Sequence, residues 1–153
     1  MGIKIVTMVR FSKENIKQFR KMDILAIYLF GSMATGKYIH DRSDFDFGIV
    51  LKNSEKLKGN TLEIYNELYD IIIEKLPKGY LKKRFELKAH EFDIVFLQDA
   101  PIRLQFEVMS SGKVIYENDA EKRLNYEEYV MKKQCDLAYF RTIREKSILE
   151  RIL

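Results

Sequence analysis

Apolar residues recur along this chain with two periods. Leu25 to Phe30 is uncharged, rich in strand formers and closed by Gly31, so it reads as a strand buried on both faces; a helix of that length would be unusually short. A second apolar run, SDFDFGIV, reaches Val50, and a third, HEFDIVFL, places Phe92, Ile94, Val95, Phe96 and Leu97 around one acid. Lys113 to Tyr116 is a fourth, shorter strand candidate, and Ile3 to Val9 reads either as an edge strand or as a disordered start. Between these runs the period changes to that of a helix. Ser12 can cap a short helix through Met22 with Ile16 and Phe19 facing inward. Leu51 to Gly59 reads as a loop. Asn60 with Glu63 then has a capping-box arrangement, followed by Leu62, Tyr65, Leu68, Tyr69, Ile72 and Leu76 at helical spacing until Pro77 and Gly79. Pro101 opens a further helix with Ile102, Phe106 and Met109 on its face and Gly112 at its end. From Asp119 onward there is neither Pro nor Gly, and Tyr126, Val130, Leu137, Phe140 and Ile143 form one stripe. Tyr129, Tyr139, Ile148, Leu149, Ile152 and Leu153 exceed what that stripe needs, which marks the last helix as a docking element for a partner or a second copy.

The elements predict one α/β domain over residues 1–153, with a helical segment over 119–153. Composition narrows the class. With 46% hydrophobic and 33% charged residues the chain is globular, and no apolar run approaches the roughly 20 residues of a membrane-spanning helix. The N-terminus lacks the organisation of a signal peptide, so the expected location is cytoplasmic. One cysteine, Cys135, excludes an internal disulfide and a cysteine-based zinc cluster, and it reads as a small buried hydrophobe. A net charge of +4 suits an acidic partner, but the 27 basic residues are scattered among 23 acids, so nucleic acid is not expected as a direct ligand.

Candidate chemistry concentrates between the first two strands. Gly31 lacks a Cβ and lets backbone N–H groups approach a ligand, and Ser32 adds a hydroxyl. A helical turn beginning over Met33 to Gly36 would present the N–H groups that bind anions such as a triphosphate. On the next strand Asp44 and Asp46 project from one face while Phe45 and Phe47 project from the other. Two carboxylates roughly 7 Å apart along a strand repel unless a cation lies between them. Mg²⁺ suits such a pair, because it takes oxygen ligands from a few carboxylates and from substrate phosphates. Asp93, embedded in its own apolar strand, would be costly to bury alone; beside the other two it completes a cluster suited to in-line displacement at phosphorus.

Gly31-Ser32, then Ser43-Asp44-Phe45-Asp46, then the acid-bearing strand at Asp93 resemble the polymerase-β-type nucleotidyltransferase superfamily over Ile24 to about Tyr116. Within it the chain is similar to the minimal nucleotidyltransferases, the MNT antitoxins paired with HEPN ribonuclease toxins. The resemblance implies a nucleotidyltransferase-type fold with a core of about 24–117, its mixed sheet flanked by helices and carrying all three aspartates on one side with the helices packed on the other. It also implies a Mg²⁺-dependent enzyme that transfers AMP from ATP to a tyrosine of a HEPN toxin. By position, Gly31 and Ser32 would hold the triphosphate with Lys37 and Ser43 as further nucleotide contacts, Asp44 and Asp46 would bind metal, and Asp93 would complete the metal site or take the acceptor's proton. Two departures stand out: the eleven residues from Met33 to Ser43 make the loop one longer than is commonest, and Thr35 replaces an arginine found in many relatives. Two other readings fit the same residues. One is a module that neutralises its partner by occlusion and keeps a weak nucleotide site; the other is a nucleotidyltransferase acting on a small molecule of the antibiotic type.

Overall fold

A computed structural model describes residues 9–31, 45–76 and 92–152. In chain order these form helix α1 (Lys13–Lys21), strands β1 (Ile24–Phe30) and β2 (Phe45–Leu51), a 3₁₀ turn (Ser54–Lys56) and helix α2 (Leu57–Lys75). Strand β3 (Phe92–Phe96), a second 3₁₀ turn (Leu97–Asp99), helix α3 (Ile102–Ser111), strand β4 (Lys113–Glu117) and helix α4 (Ala120–Ile152) follow.

Local chemistry sets most of these boundaries. The Ser12 hydroxyl accepts from the Asn15 N–H, while the Ser12 N–H donates to the Asn15 side chain, so two otherwise orphaned groups of α1 are satisfied reciprocally. The tight turn into β1 puts Asp23 in the left-handed region (φ 55°), which a short polar side chain tolerates better than a branched one. Pro101 and Gly112 bracket α3 as the sequence predicts.

The four strands lie in the order β3-β2-β1-β4. β1 pairs antiparallel with both β2 and β4, whereas β2 and β3 run parallel, which makes the sheet mixed. Side chains alternating across the sheet feed two cores. On one face Ile27, Leu29, Phe45, Phe47 and Ile49 pack with Phe19 of α1 and with Ile64, Leu68 and Ile72 of α2. On the other Ala26, Tyr28 and Val50 pack with Leu97, with Val108 of α3 and with Tyr126 of α4. Helices therefore cover both faces, including the one that carries Asp46 and Asp93, where all the helices were expected on the opposite side.

Five further expectations differ from the structure. Leu51 to Gly59 is not simply a loop: Leu51 ends β2, and helix begins at Leu57. Asn60 (φ −125°, ψ 22°) is a kink inside α2 rather than its start. Leu62 is 72% exposed, because the buried row of α2 runs Ile64, Leu68, Ile71 and Ile72. In α3 the buried residues are Gln105 and Val108, not the Ile102, Phe106 and Met109 row. Burial of Gln105 is tolerated because its amide donates to the Ala100 carbonyl (2.8 Å) and its oxygen accepts from the Tyr126 hydroxyl (2.6 Å). Cys135, expected inside, is exposed. Ile3 to Met8, Pro77, Gly79 and the His90-Glu91 start of the third apolar run lie outside the described residues.

Candidate functional site

Strand pairing assembles the site at one end of the sheet. The last residue of β1, Phe30, lies opposite Asp46 across the antiparallel ladder, so the chain leaves the sheet at Gly31 directly beside that carboxylate. Gly31 takes a left-handed conformation (φ 77°), and a Cβ there would run into Asp46 Oδ2. A side chain at position 31 would thus meet both backbone strain and a carboxylate.

On its other side Asp46 is in register with Asp93 across the parallel β2–β3 pair. The flanking residues establish that the two acids share a face. Phe45, Phe47, Phe92 and Ile94 belong to one core, while Val50, Val95 and Leu97 belong to the other, which places Asp46 and Asp93 on the side of the second. Asp46 is half-buried and Asp93 exposed. Aromatic packing fixes the backbone beneath them: Phe45 stacks with Phe47 (ring centroids 6.2 Å), Phe47 meets Phe92 edge-on (5.9 Å), and Tyr69 of α2 stacks on Phe92 (4.8 Å).

The structure thus brings together Gly31, Asp46 and Asp93. Ser32, Lys37, Ser43 and Asp44 lie outside the described residues, as does Thr35. Among the described residues there is no cluster of three or more His, Cys, Asp and Glu side chains that could hold a metal. The pair that is present fits a hard divalent cation: two carboxylates in register on one face, open to solvent on the Asp93 side, with a glycine leaving space beside Asp46.

Two supports of the sheet away from this end carry no hydropathy signal. Gln98 accepts from the Leu51 N–H (2.9 Å) and donates to the Leu51 carbonyl (2.6 Å), closing the far end of β2 as a strand residue would. On the same face as Asp46 and Asp93, the buried Tyr28 hydroxyl donates to Glu127 (2.7 Å), and Arg123 bridges Glu127 (2.6 Å) and Glu117 (2.5 Å), tying α4 to β1 and β4. Burial, reinforced by Glu127, pushes the Tyr28 phenol well above its ordinary value. Burial alone would lower the Arg123 pKa, but its two carboxylates and Tyr28 outweigh that effect and hold it charged.

A mixed sheet with two in-register carboxylates facing a glycine turn defines a nucleotidyltransferase-type fold. Residues 14–121 match the family model described as polymerase beta, nucleotidyltransferase, and the chain belongs to that family. Solved structures share the fold. One described as a toxin-antitoxin with AMP-PNP is 21% identical with a TM-score of 0.54, covering 90% of this chain and 99% of its own. Another, of a tri-AMPylated Shewanella oneidensis HEPN toxin in complex with MNT antitoxin, is 17% identical with a TM-score of 0.50, covering 97% and 99%. A third, the toxin-antitoxin MntA-HepT, is 18% identical with a TM-score of 0.50, covering 89% and 94%. Comparison with curated protein sequences gives no significant match.

Proposed function

We propose that this chain is a Mg²⁺-dependent protein adenylyltransferase that acts as the antitoxin of a HEPN-type ribonuclease toxin. The observation that carries this reading is the meeting of Gly31, Asp46 and Asp93 at one end of the sheet. Family membership supports nucleotidyl transfer, and the neighbouring structures of toxin-antitoxin pairs, one with AMP-PNP and one with an AMPylated toxin, support the substrate and the acceptor.

In the reaction an acceptor hydroxyl oxygen attacks the α-phosphorus of ATP, the bond from that phosphorus to the bridging oxygen breaks, and pyrophosphate leaves with the bond's electron pair. Asp44 and Asp46 would hold Mg²⁺, which supplies neutralisation of phosphate charge. Gly31 and Ser32 position the β- and γ-phosphates through backbone N–H groups and a hydroxyl, with Lys37 and Ser43 as further contacts. Asp93, the more open acid, accepts the proton from the attacking hydroxyl or joins the metal site.

Incubation with ATP labelled at either the α- or the γ-phosphorus tests this. Adenylyl transfer puts only the α-label on the protein encoded beside this chain's gene, and Asp46→Asn removes it. Label from the γ-position would indicate phosphoryl transfer and overturn the reading. Occlusion is the second reading, favoured by the apolar surface along α4. It predicts that neutralisation of the toxin survives the combined Asp44→Ala and Asp46→Ala substitutions.

A further inference from the structure

Helix α4 belongs to its own domain only over its first third. Tyr126 packs into the second core and Val130 is fully buried, but from residue 131 to 152 every residue except Gln134 and Ser147 is exposed. That length rises about 33 Å, six turns of helix with few of the described residues beside it. The row that faces the core at Tyr126 and Val130 continues, at three- and four-residue steps, through Lys133, Leu137, Phe140, Arg144, Ile148 and Arg151. Leu137 is 42% exposed, Phe140 65% and Ile148 44%.

The charge on this face selects its occupant. At about 100° per residue, the third of the circumference centred on Leu137 also includes Arg141 and Ile152 and contains no Asp or Glu over residues 131–152. The acids of this stretch, Asp136, Glu145 and Glu150, lie outside that sector. A second copy packing the same face against itself would set Arg141, Arg144 and Arg151 against arginines with no carboxylate between, an arrangement like charges oppose. An amphipathic helix whose apolar row is flanked by Asp and Glu satisfies both components.

We propose that the overhanging half of α4 is the docking surface for an acidic amphipathic helix of the partner protein, gripped by Leu137, Phe140 and Ile148 and steered by Arg141, Arg144 and Arg151. The inference deepens the proposed function, since it rests on the chain acting on a protein partner, but it does not depend on transfer. The surface continues the domain's own core-facing row, so the bound helix extends a layer that is already built.

The test uses the full chain with the purified product of the adjacent reading frame as probe. Affinity is measured by titration calorimetry and mass by light scattering, for the wild type, Leu137→Asp plus Phe140→Asp, and Arg141→Glu plus Arg144→Glu. All four positions are exposed, so melting temperatures should hold, and an unchanged ATP-induced rise in melting temperature confirms an intact nucleotide site. The proposal predicts at least about a tenfold loss of affinity for each double variant. Wild-type affinity should fall with added salt, and the arginine variant should lose most of that salt dependence. Complex formation and AMP transfer unaffected by either variant would overturn the docking surface while leaving the adenylyltransferase standing. A complex that depends on α4 but transfers no AMP would support the surface and overturn the enzyme reading. A wild-type chain that dimerises through Phe140, or that binds no partner at all, would overturn the proposal.

Discussion

Replacing Gly31 by alanine should do two kinds of damage that can be measured apart. At φ 77° an L-residue with a Cβ costs about 1–2 kcal/mol relative to glycine. For a domain of this size, that corresponds to a melting temperature lower by about 2–8 °C. The second effect is positional. The new Cβ would run into Asp46 Oδ2, while Asp46 Cγ would sit 3.4 Å away, so the carboxylate can turn aside without moving β2. A displacement on the order of 1 Å at a catalytic group costs about a hundredfold in rate. Gly31→Ala should therefore lower kcat/KM for AMP transfer about a hundredfold with only a modest loss of stability. Gly31→Asn separates the two, because asparagine tolerates the left-handed region but brings the same Cβ. It should recover part of the melting temperature and none of the activity. Thermal melting beside steady-state transfer gives both numbers. Gly31→Ala working within about threefold of the wild type would refute the claim that the glycine keeps Asp46 in place.

Asp93→Asn, at an exposed strand position, should change stability by no more than about 0.5 kcal/mol in urea unfolding while lowering transfer by at least about a hundredfold. Gln98→Ala removes both bonds to the Leu51 backbone and should cost about 1–3 kcal/mol by the same measurement; an unchanged midpoint would mean that β2 needs no closure there. Because burial raises the Tyr28 phenol above the ordinary value of 10.0, the folded state keeps a proton that the unfolded chain releases, so stability is intact below pH 10 and declines above it. The slope is about 1.4 kcal/mol per pH unit for this group, and Tyr28→Phe should flatten the decline seen in melts between pH 9 and 11. Leu68→Ala, at a fully buried position between α2 and the sheet, should cost about 2–5 kcal/mol.

What the sequence discloses follows from where its signals are local. The uncharged run through Phe30 has no alternative to a buried strand, and Ser12, Pro101 and Gly112 carry their boundary chemistry in single residues. The alternation that sends Phe45 and Phe47 inward also fixes the face of Asp46, so half of the candidate site is legible from the period alone. That Asp93 stands in register with Asp46 depends on a parallel pairing between distant segments, for which the family resemblance supplied the expectation and periodicity could not. Polar residues explain two of the misses. Gln105 is buried because Tyr126 and Ala100 satisfy it, and an inventory of apolar letters passes over such a residue, as it does Gln98. Residue type alone points Cys135 to the interior, whereas its position on the overhanging part of α4 makes it exposed. The surplus apolar residues of that helix were visible beforehand, and the structure shows Leu137, Phe140 and Ile148 uncovered.

Mass spectrometry of the protein encoded by the adjacent reading frame, after incubation with this chain, ATP and Mg²⁺, tests the central claim most directly, with Asp46→Ala as the control. The account predicts mass gains in steps of one AMP on a hydroxyl-bearing residue, absent with the variant. An unmodified partner in stable complex with the folded wild-type chain would contradict it.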